Sequence, residues 1–295
     1  MSAILFKGFA RAMLLAGAAN LAVAPAFAQT APIKFSPPTE MPKGEFGKAV
    51  AYGEAVFDHT QTVAKDFVGN GLTCENCHLD RGRLANAAPM WAAFVSYPQY
   101  RSKTREVNTI EDRLQDCFRY SMNGKPPPPD SKELTGLVSY LFWLATGAPV
   151  GVKLQGALYP RLPKPAQAPD PGRGAKVYAE NCALCHGANG EGRKADDNYV
   201  FPPLWGAQSY NWGAGMTGLA AASGFIKTNM PLGLGGSLSD QDAWDVAAFV
   251  DSHPRPQDPR FAGDLAETRQ KFHSDDYYGK TVDGILLGAP ESLPH

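Results

Sequence analysis

Two pentapeptides in this 295-residue chain combine soft sulfur and imidazole at one spacing: Cys74-Glu75-Asn76-Cys77-His78 and Cys182-Ala183-Leu184-Cys185-His186. Two thiols about one helical turn apart can form thioether links to the two vinyl groups of one haem, and the histidine that follows can ligate its iron. The pair takes four of the five cysteines. A four-cysteine zinc site or two redox dithiols would use the same thiols, but both leave the trailing histidines as coincidences. More than a hundred residues also separate the motifs, unlike compact zinc spacings. Cys74, Cys77, Cys182 and Cys185 are therefore read as attachment points for two covalently bound haem c groups, with His78 and His186 as axial ligands.

The opposite face of each iron sets its potential and the access of substrate to it. In the second half, Met230 precedes Pro231 and follows a helix expected from Gly215 to Lys227, as the loop methionine of a His/Met cytochrome does; Met216 is the rival. In the first half the corresponding distance from the haem histidine falls on Cys117 and Met122. The segment 109–122 begins Thr-x-x-Asp and runs into Asn123-Gly124, which predicts one short helix. On it Arg113, Cys117 and Ser121 follow at i, i+4 and i+8, so a fixed positive charge, a nucleophilic sulfur and a hydroxyl share a face, with Ile110, Leu114 and Phe118 as the adjacent apolar stripe. That face suits a small anion. A guanidinium and a ferric iron would both favour the thiolate of Cys117, able to ligate iron or attack another sulfur; the bland alternatives are a buried cysteine acting as a small hydrophobe and an intermolecular disulfide. Upstream, Tyr100-Arg101-Ser102-Lys103-Thr104-Arg105 is a basic cluster, either a solvated loop or part of the same anion pocket. His59, His253, His273 and His295 stand where neither half expects a ligand and are read as structural or surface residues.

The elements that must hold these residues point to an all-α protein of two tandem cytochrome c-like domains, each with one covalently bound haem. Residues 46–58 open the first domain, and the glycines at 69 and 71 mark the loop before Cys74. Leu134, Leu137, Val138, Leu141, Phe142 and Ala145 follow at helical spacing behind a Ser131 N-cap, with Gly147 as a stop. Asp170-Pro171 supplies a cap and an N1 proline for the helix leading to Cys182. Ser239-Asp240-Gln241-Asp242 predicts a capping box for a closing helix through Trp244, Ala247, Ala248 and Asp251, ending near Pro254. The expected division is a signal peptide at 1–28, a first domain at 29–157, a proline-rich linker at 158–171, a second domain at 172–257 and an extension at 258–295 lying over the two domains.

Lys7 and Arg11, the apolar run Ala12 to Ala24 and Ala26-Phe27-Ala28 have the layout of a cleavable secretory signal. The run is shorter than the roughly 20 residues that span a bilayer, which argues against a retained anchor. Export to an oxidising periplasm suits covalent haem attachment. Removing residues 1–28 takes the formal charge from −1 to −3, and with no basic run the chain has no footprint for nucleic acid.

The run Asn108 to Gly124, with Asn229-Met230-Pro231 and the tail segments Asp258-Pro259-Arg260-Phe261 and Glu267 to Phe272, resembles the di-haem thiosulfate dehydrogenases over nearly the whole mature chain. That resemblance implies an oxidoreductase joining two thiosulfate ions into tetrathionate with release of two electrons, some members favouring the reverse. It implies His78 and Cys117 as axial ligands of the active-site haem, with Arg113 and Ser121 in the substrate pocket. A second pocket arginine would come from Arg101, Lys103 or Arg105. Some relatives carry lysine before the methionine and exchange ligands with redox state; here that position is Asn229, which argues against the exchange, although Lys227 is close in sequence. The two electrons would leave singly to a small soluble acceptor, a cytochrome c or a high-potential iron-sulfur protein. A covalent route through a Cys117–thiosulfate adduct competes with outer-sphere oxidation. A non-catalytic di-haem electron carrier is the alternative function, and the Arg113, Cys117, Ser121 face argues against it.

Overall fold

Each half of the chain opens and closes with a helix, and in each half that pair crosses at a glycine. The computed structural model describes residues 31–195 and 198–293, so the expected signal segment and His295 lie outside the described residues. The first half carries α1 (Gly44–Asp58), α2 (Met90–Ser96), α3 (Ile110–Asp116) and α4 (Lys132–Leu144), and the second α5 (Pro171–Asn181), α6 (Leu219–Asn229) and α7 (Asp240–Asp251). Helix α8 (Leu265–Phe272) follows in the tail. Where α1 meets α4, a Cβ at Gly53 would lie 2.0 Å from the Gly136 carbonyl oxygen; where α5 meets α7, a Cβ at Gly174 would lie 2.0 Å from that of Asp245. Only glycine permits either backbone approach.

The caps are those the residue order predicts. Ser131 Oγ accepts from the Leu134 N–H at the head of α4, Asp170 accepts from the Arg173 N–H at the head of α5, and Thr109 with Asp112 and Ser239 with Asp242 form capping boxes on α3 and α7. Leu134, Leu137, Leu141 and Leu144 are all buried along α4, each contributing about 2 kcal/mol of apolar burial. Phe142, expected on that stripe, is instead 51% exposed, edge-on to Phe46 and Phe94; Tyr140 and Trp143 take the inward positions.

Helices dominate, in line with the helical fold expected, and among the described residues three short antiparallel two-stranded hairpins accompany them. They are β1 (Gln99–Arg101) with β2 (Glu106–Asn108), β3 (Arg193–Ala195) with β4 (Asn198–Phe201), and β5 (Thr281–Val282) with β6 (Ile285–Leu286). The basic cluster 100–105 is thus a hairpin, Arg101 opposite Glu106, with Arg105 in the left-handed region at its turn. The helix expected from Gly215 to Lys227 is also broken, into a 3-10 turn Gly215–Thr217 and α6. Asp275 accounts for the restart, since its carbonyl and carboxylate accept from the N–H groups of Leu219 and Ala220.

The halves interlock. Tyr210 and Ala214, from the second half, are buried in the first half's core with Met216 packed against it. Asn70 donates to the Ser121 and Ser209 carbonyls, and Asn211 donates to the Arg119 carbonyl and to Asn123. The proline-rich stretch is pinned to the second half: the Trp244 indole N–H donates to the Pro163 carbonyl, and the Gln167 N–H donates to Gln241. Among the described residues no helix is long and apolar enough to cross a membrane.

The tail lies mostly on the surface and is anchored by a few buried residues. Tyr278 and Leu287 are fully buried with Trp212, and His273 lies between two carboxylates, Nδ1 at 2.6 Å from Asp276 and Nε2 at 3.0 Å from Asp258. Burial opposes a charge on His273, yet the two carboxylates win and raise its pKa, while hydrogen bonds from His273 and Arg260 overcome burial to lower that of Asp258. A raised histidine stabilises fully below its unfolded value and loses that contribution as pH climbs through the folded one; a depressed aspartate loses its own as pH falls. The clamp should therefore be strongest between about pH 4 and pH 6.5. Chemical denaturation should show His273→Ala about 3 kcal/mol less stable in that window, with the gap closing at alkaline pH; a gap independent of pH would exclude the ion pair as its source.

Candidate haem and substrate site

The first cysteine motif opens on a cavity of about 170 Å³. Cys74 lies on a 3-10 turn, Cys74–Asn76, closed by Thr73 and Asn76 in a capping box. His78 follows, and its Nδ1 donates to the Ala88 carbonyl at 2.8 Å; a carbonyl can only accept, so Nε2 keeps its lone pair. Burial pushes the His78 pKa down to about 4, with Arg113 adding to the effect, and holds the imidazole neutral. A neutral ring oriented through one nitrogen is the state a metal ligand needs. Cys74, Cys77 and His78 share the cavity wall with apolar Phe57, Leu72, Leu137 and Leu141. This fits a covalently held haem: two thiols and one imidazole at its rim, and no burden of buried charge on its apolar walls.

Arg113, Cys117, Ser121 and Met122 line the same cavity. The expected helix brings them there with one departure, in its last turn. Helix α3 ends at Asp116, and Cys117–Ser121 is a π turn, with the Met122 N–H bonded to the Cys117 carbonyl at 2.9 Å. Carbonyls released by the wider turn are taken up elsewhere: Asn70 donates to Ser121 and the Gly69 N–H to Met122. Inside this frame Arg113 Nη1 donates to Cys117 Sγ at 2.9 Å. The Arg113 pKa is raised chiefly by the charge of Cys117, against the cost of burial, so the partly buried guanidinium stays cationic. The Met122 side chain is also buried at the cavity, but it presents a thioether with no charged partner.

The three basic candidates separate. Arg101 donates to Asp116 at 2.6 Å, a carboxylate that also pairs with Arg119. Arg105 is exposed at the hairpin turn. Lys103 donates to the Gly213 carbonyl and sits 4.1 Å over the Tyr120 ring. Burial, then the charges of Arg260 and Arg113, pushes its pKa down to about 7. None of the three is on the wall shared by His78 and Cys117, though Lys103 is close enough to feel Arg113.

The second motif is built alike on different elements. Cys182 caps α5 and joins a core with Tyr178, Trp205 and Phe249, and a short turn, Ala183–His186, carries the rest. His186 Nδ1 donates to the Pro202 carbonyl at 2.9 Å, again leaving Nε2 open, and burial lowers its pKa. Met230 is the residue that ends α6. Its rival Met216 belongs to the wall of the first cavity and cannot serve the second site. Lys227 is engaged with the Leu238 carbonyl and with Asp240 at 3.2 Å. The two cysteine pairs occupy separate clusters, so a four-cysteine site is not formed. Of the other histidines, His253 stacks on Trp205 with centroids 4.1 Å apart and His59 caps α1.

Sequence reasoning missed several cavity residues: Tyr97, Gln99 and Tyr210 line it, and the Tyr159 hydroxyl donates to the Cys77 carbonyl at 3.1 Å. Tyr210 and Tyr159 come from beyond the first domain's expected limit, and nothing local in the sequence marks them.

Comparison with known proteins identifies both halves of the chain as cytochrome c domains. Residues 60–150 match the family described as SoxA/TsdA, cytochrome c domain, and residues 172–254 match the cytochrome c family. A thiosulfate dehydrogenase of Thiomonas intermedia (strain K12) is 55% identical over 259 residues, covering 86% of this chain and 82% of the relative. One of Stutzerimonas stutzeri (strain A1501) is 52% identical over 260 residues, covering 86% and 85%. The solved thiosulfate dehydrogenase TsdBA of Marichromatium purpuratum superposes with a TM-score of 0.84 at 50% identity, over 87% of this chain and 57% of that longer one. With both haem-type domains matched and identities above half across most of its length, the chain belongs to the thiosulfate dehydrogenase family of two-domain c-type cytochromes.

Proposed function

We propose that this protein oxidises two thiosulfate ions to tetrathionate in the cavity between His78 and Cys117, and that it works in the periplasm after loss of residues 1–28. The observation that carries the reading is the 2.9 Å bond from Arg113 to Cys117 Sγ in the cavity that His78 also lines. A cation held against a sulfur, in a cavity with a nearby hydroxyl, is what a thiosulfate dianion needs; a simple electron relay needs none of it.

The two haems, held by Cys74, Cys77 and His78 and by Cys182, Cys185 and His186, would supply one-electron acceptance twice over, with Cys117 and Met230 as the remaining ligands. The chain's residues do the rest. Arg113 and Ser121 bind sulfonate oxygens and leave the sulfane sulfur directed at Cys117 Sγ. Loss of two electrons forms a sulfur–sulfur bond between the Cys117 thiolate and that sulfane sulfur. The sulfane sulfur of a second thiosulfate then attacks the bound one; tetrathionate leaves with the new bond, and Cys117 departs as thiolate, balancing charge and atoms. Arg113, already bonded to that sulfur, stabilises the leaving group. In this reading the electrons pass from the second domain to a small cytochrome c or high-potential iron-sulfur protein, and the reaction is reversible.

Thiosulfate added anaerobically to the oxidised protein, with no other reductant, should reduce its haem bands in the visible spectrum. A spectrum unchanged over hours, together with no tetrathionate reduction from a chemical donor, would leave only the electron carrier. Lys103 adds a pH signature. Charged below about pH 7 and neutral above, it should strengthen attraction of the anion on the acid side, so KM for thiosulfate should rise about fivefold from pH 6 to pH 8. Lys103→Met should hold KM at the high-pH value throughout; an unaltered profile would remove Lys103 from substrate capture.

A further inference from the structure

The helix that ends at Met230 is bolted to the first haem motif at two points. Asn229, the residue before Met230, is buried, and its Nδ2 donates both to the Phe225 carbonyl at 3.1 Å, within its own helix, and to the Asn86 carbonyl at 3.2 Å, in the other half of the protein. Asn86 lies two residues before Ala88, whose carbonyl accepts from His78 Nδ1. On the opposite side of the motif, the Phe225 ring meets Tyr159 edge-on at 5.3 Å, and Tyr159 donates to the Cys77 carbonyl. One helix therefore reaches the attachment segment through Tyr159 and the loop that orients its histidine directly.

That loop needs to be held. Asn86 and Ala88 both lie in the left-handed region, with φ of 67° and 48°, where a residue with a side chain persists only if its surroundings fix it. The ties are few. The Asn86 N–H donates to the Gly156 carbonyl, the Ala87 N–H to the Leu84 carbonyl, and the Asn229 amide supplies the third from outside. The strength of the His78–Ala88 bond sets how strongly the imidazole donates to iron, so whatever fixes the Ala88 carbonyl tunes that site.

We propose that Asn229 is a positioning residue for the first haem: its amide holds the 86–88 loop, so the ligand turn of the second haem bears mechanically on the ligand of the first. A shift of Met230 when the second iron changes state would move the Asn229 amide and alter the His78–Ala88 bond. The two redox centres of the proposed reaction would then be coupled through the backbone. The inference rests on His78 and Met230 as ligands and does not depend on thiosulfate chemistry.

The test is a potentiometric titration of the holoprotein without substrate. Spectroscopy resolves the cysteine-ligated haem from the methionine-ligated one, and hydrogen exchange is followed over residues 84–89. The variants are Asn229→Ala and the isosteric Asn229→Leu, which lacks a donor. In whichever folds, the His78–Ala88 bond weakens, the imidazole donates less, and the ferric/ferrous equilibrium of the first haem shifts about tenfold toward ferrous, about 59 mV for one electron. Exchange across 84–89 should accelerate. An unchanged first-haem potential overturns the proposal whatever happens at the second haem. A shifted potential with unaltered exchange overturns it too, because the amide would then act by its charge distribution and not by holding the loop. Since turnover is never read, neither result bears on the thiosulfate mechanism.

Discussion

Replacing Cys117 with serine should lower tetrathionate formation by at least about a thousandfold while both haems stay attached, because in the proposed mechanism that sulfur receives the first thiosulfate. Serine keeps the size and a hydrogen-bonding atom for Arg113, so the π turn and the cavity should survive. Its oxygen cannot form the reversible sulfur–sulfur bond, and it is a poorer ligand for iron, so the visible spectrum should change together with the rate. Steady-state assays with an artificial acceptor measure the first effect and haem quantification guards the comparison. A variant with intact haem and near-parental turnover would show that thiosulfate is oxidised without meeting residue 117.

The second large effect is expected at Arg113. Its guanidinium is the donor that holds Cys117 Sγ, and in the proposed mechanism it also neutralises the dianion, in a part-buried site where a charge-assisted bond is worth more than in water. Arg113→Leu should cut kcat/KM by about a hundred- to a thousandfold, roughly 3–4 kcal/mol of transition-state stabilisation. Arg113→Lys should recover part of the loss through its charge alone, staying about tenfold below the parent because a point charge cannot reach sulfur and sulfonate together. If leucine and lysine variants proved equally impaired, geometry and not charge would be the arginine's contribution; if neither were impaired, the anion-site reading would fail.

Much of the scaffold around these residues was legible because it is set by local chemistry. Thr109 with Asp112, Ser131, Asp170 and Ser239 with Asp242 are caps whose side chains satisfy their own helix, and the structure places a helix start at each. The convergence of Arg113 and Cys117 was legible for the same reason, as neighbours one turn apart. What could not be read depends on distant partners. The π turn at Cys117–Ser121 exists because Asn70 and Gly69, about fifty residues earlier, absorb its spare carbonyls. Phe142 faces outward because Phe46 and Phe94 meet it there. Tyr210 and Met216 reach the first cavity by a loop that crosses between the halves, and no spacing in the sequence announces such a crossing. His273 looked like a lone histidine; only the folded tail sets Asp258 and Asp276 on its two nitrogens.

The claim on which the mechanism turns is that Cys117 Sγ bonds to substrate, and mass spectrometry can test it directly. Oxidised protein treated with limiting thiosulfate and quenched at low pH should yield a Cys117 peptide heavier by one S2O3 unit, absent from untreated protein and from Arg113→Leu. Haems reduced by thiosulfate in a protein whose Cys117 peptide stays unmodified at every quench time would contradict the covalent route and leave electron transfer from unbound substrate in its place.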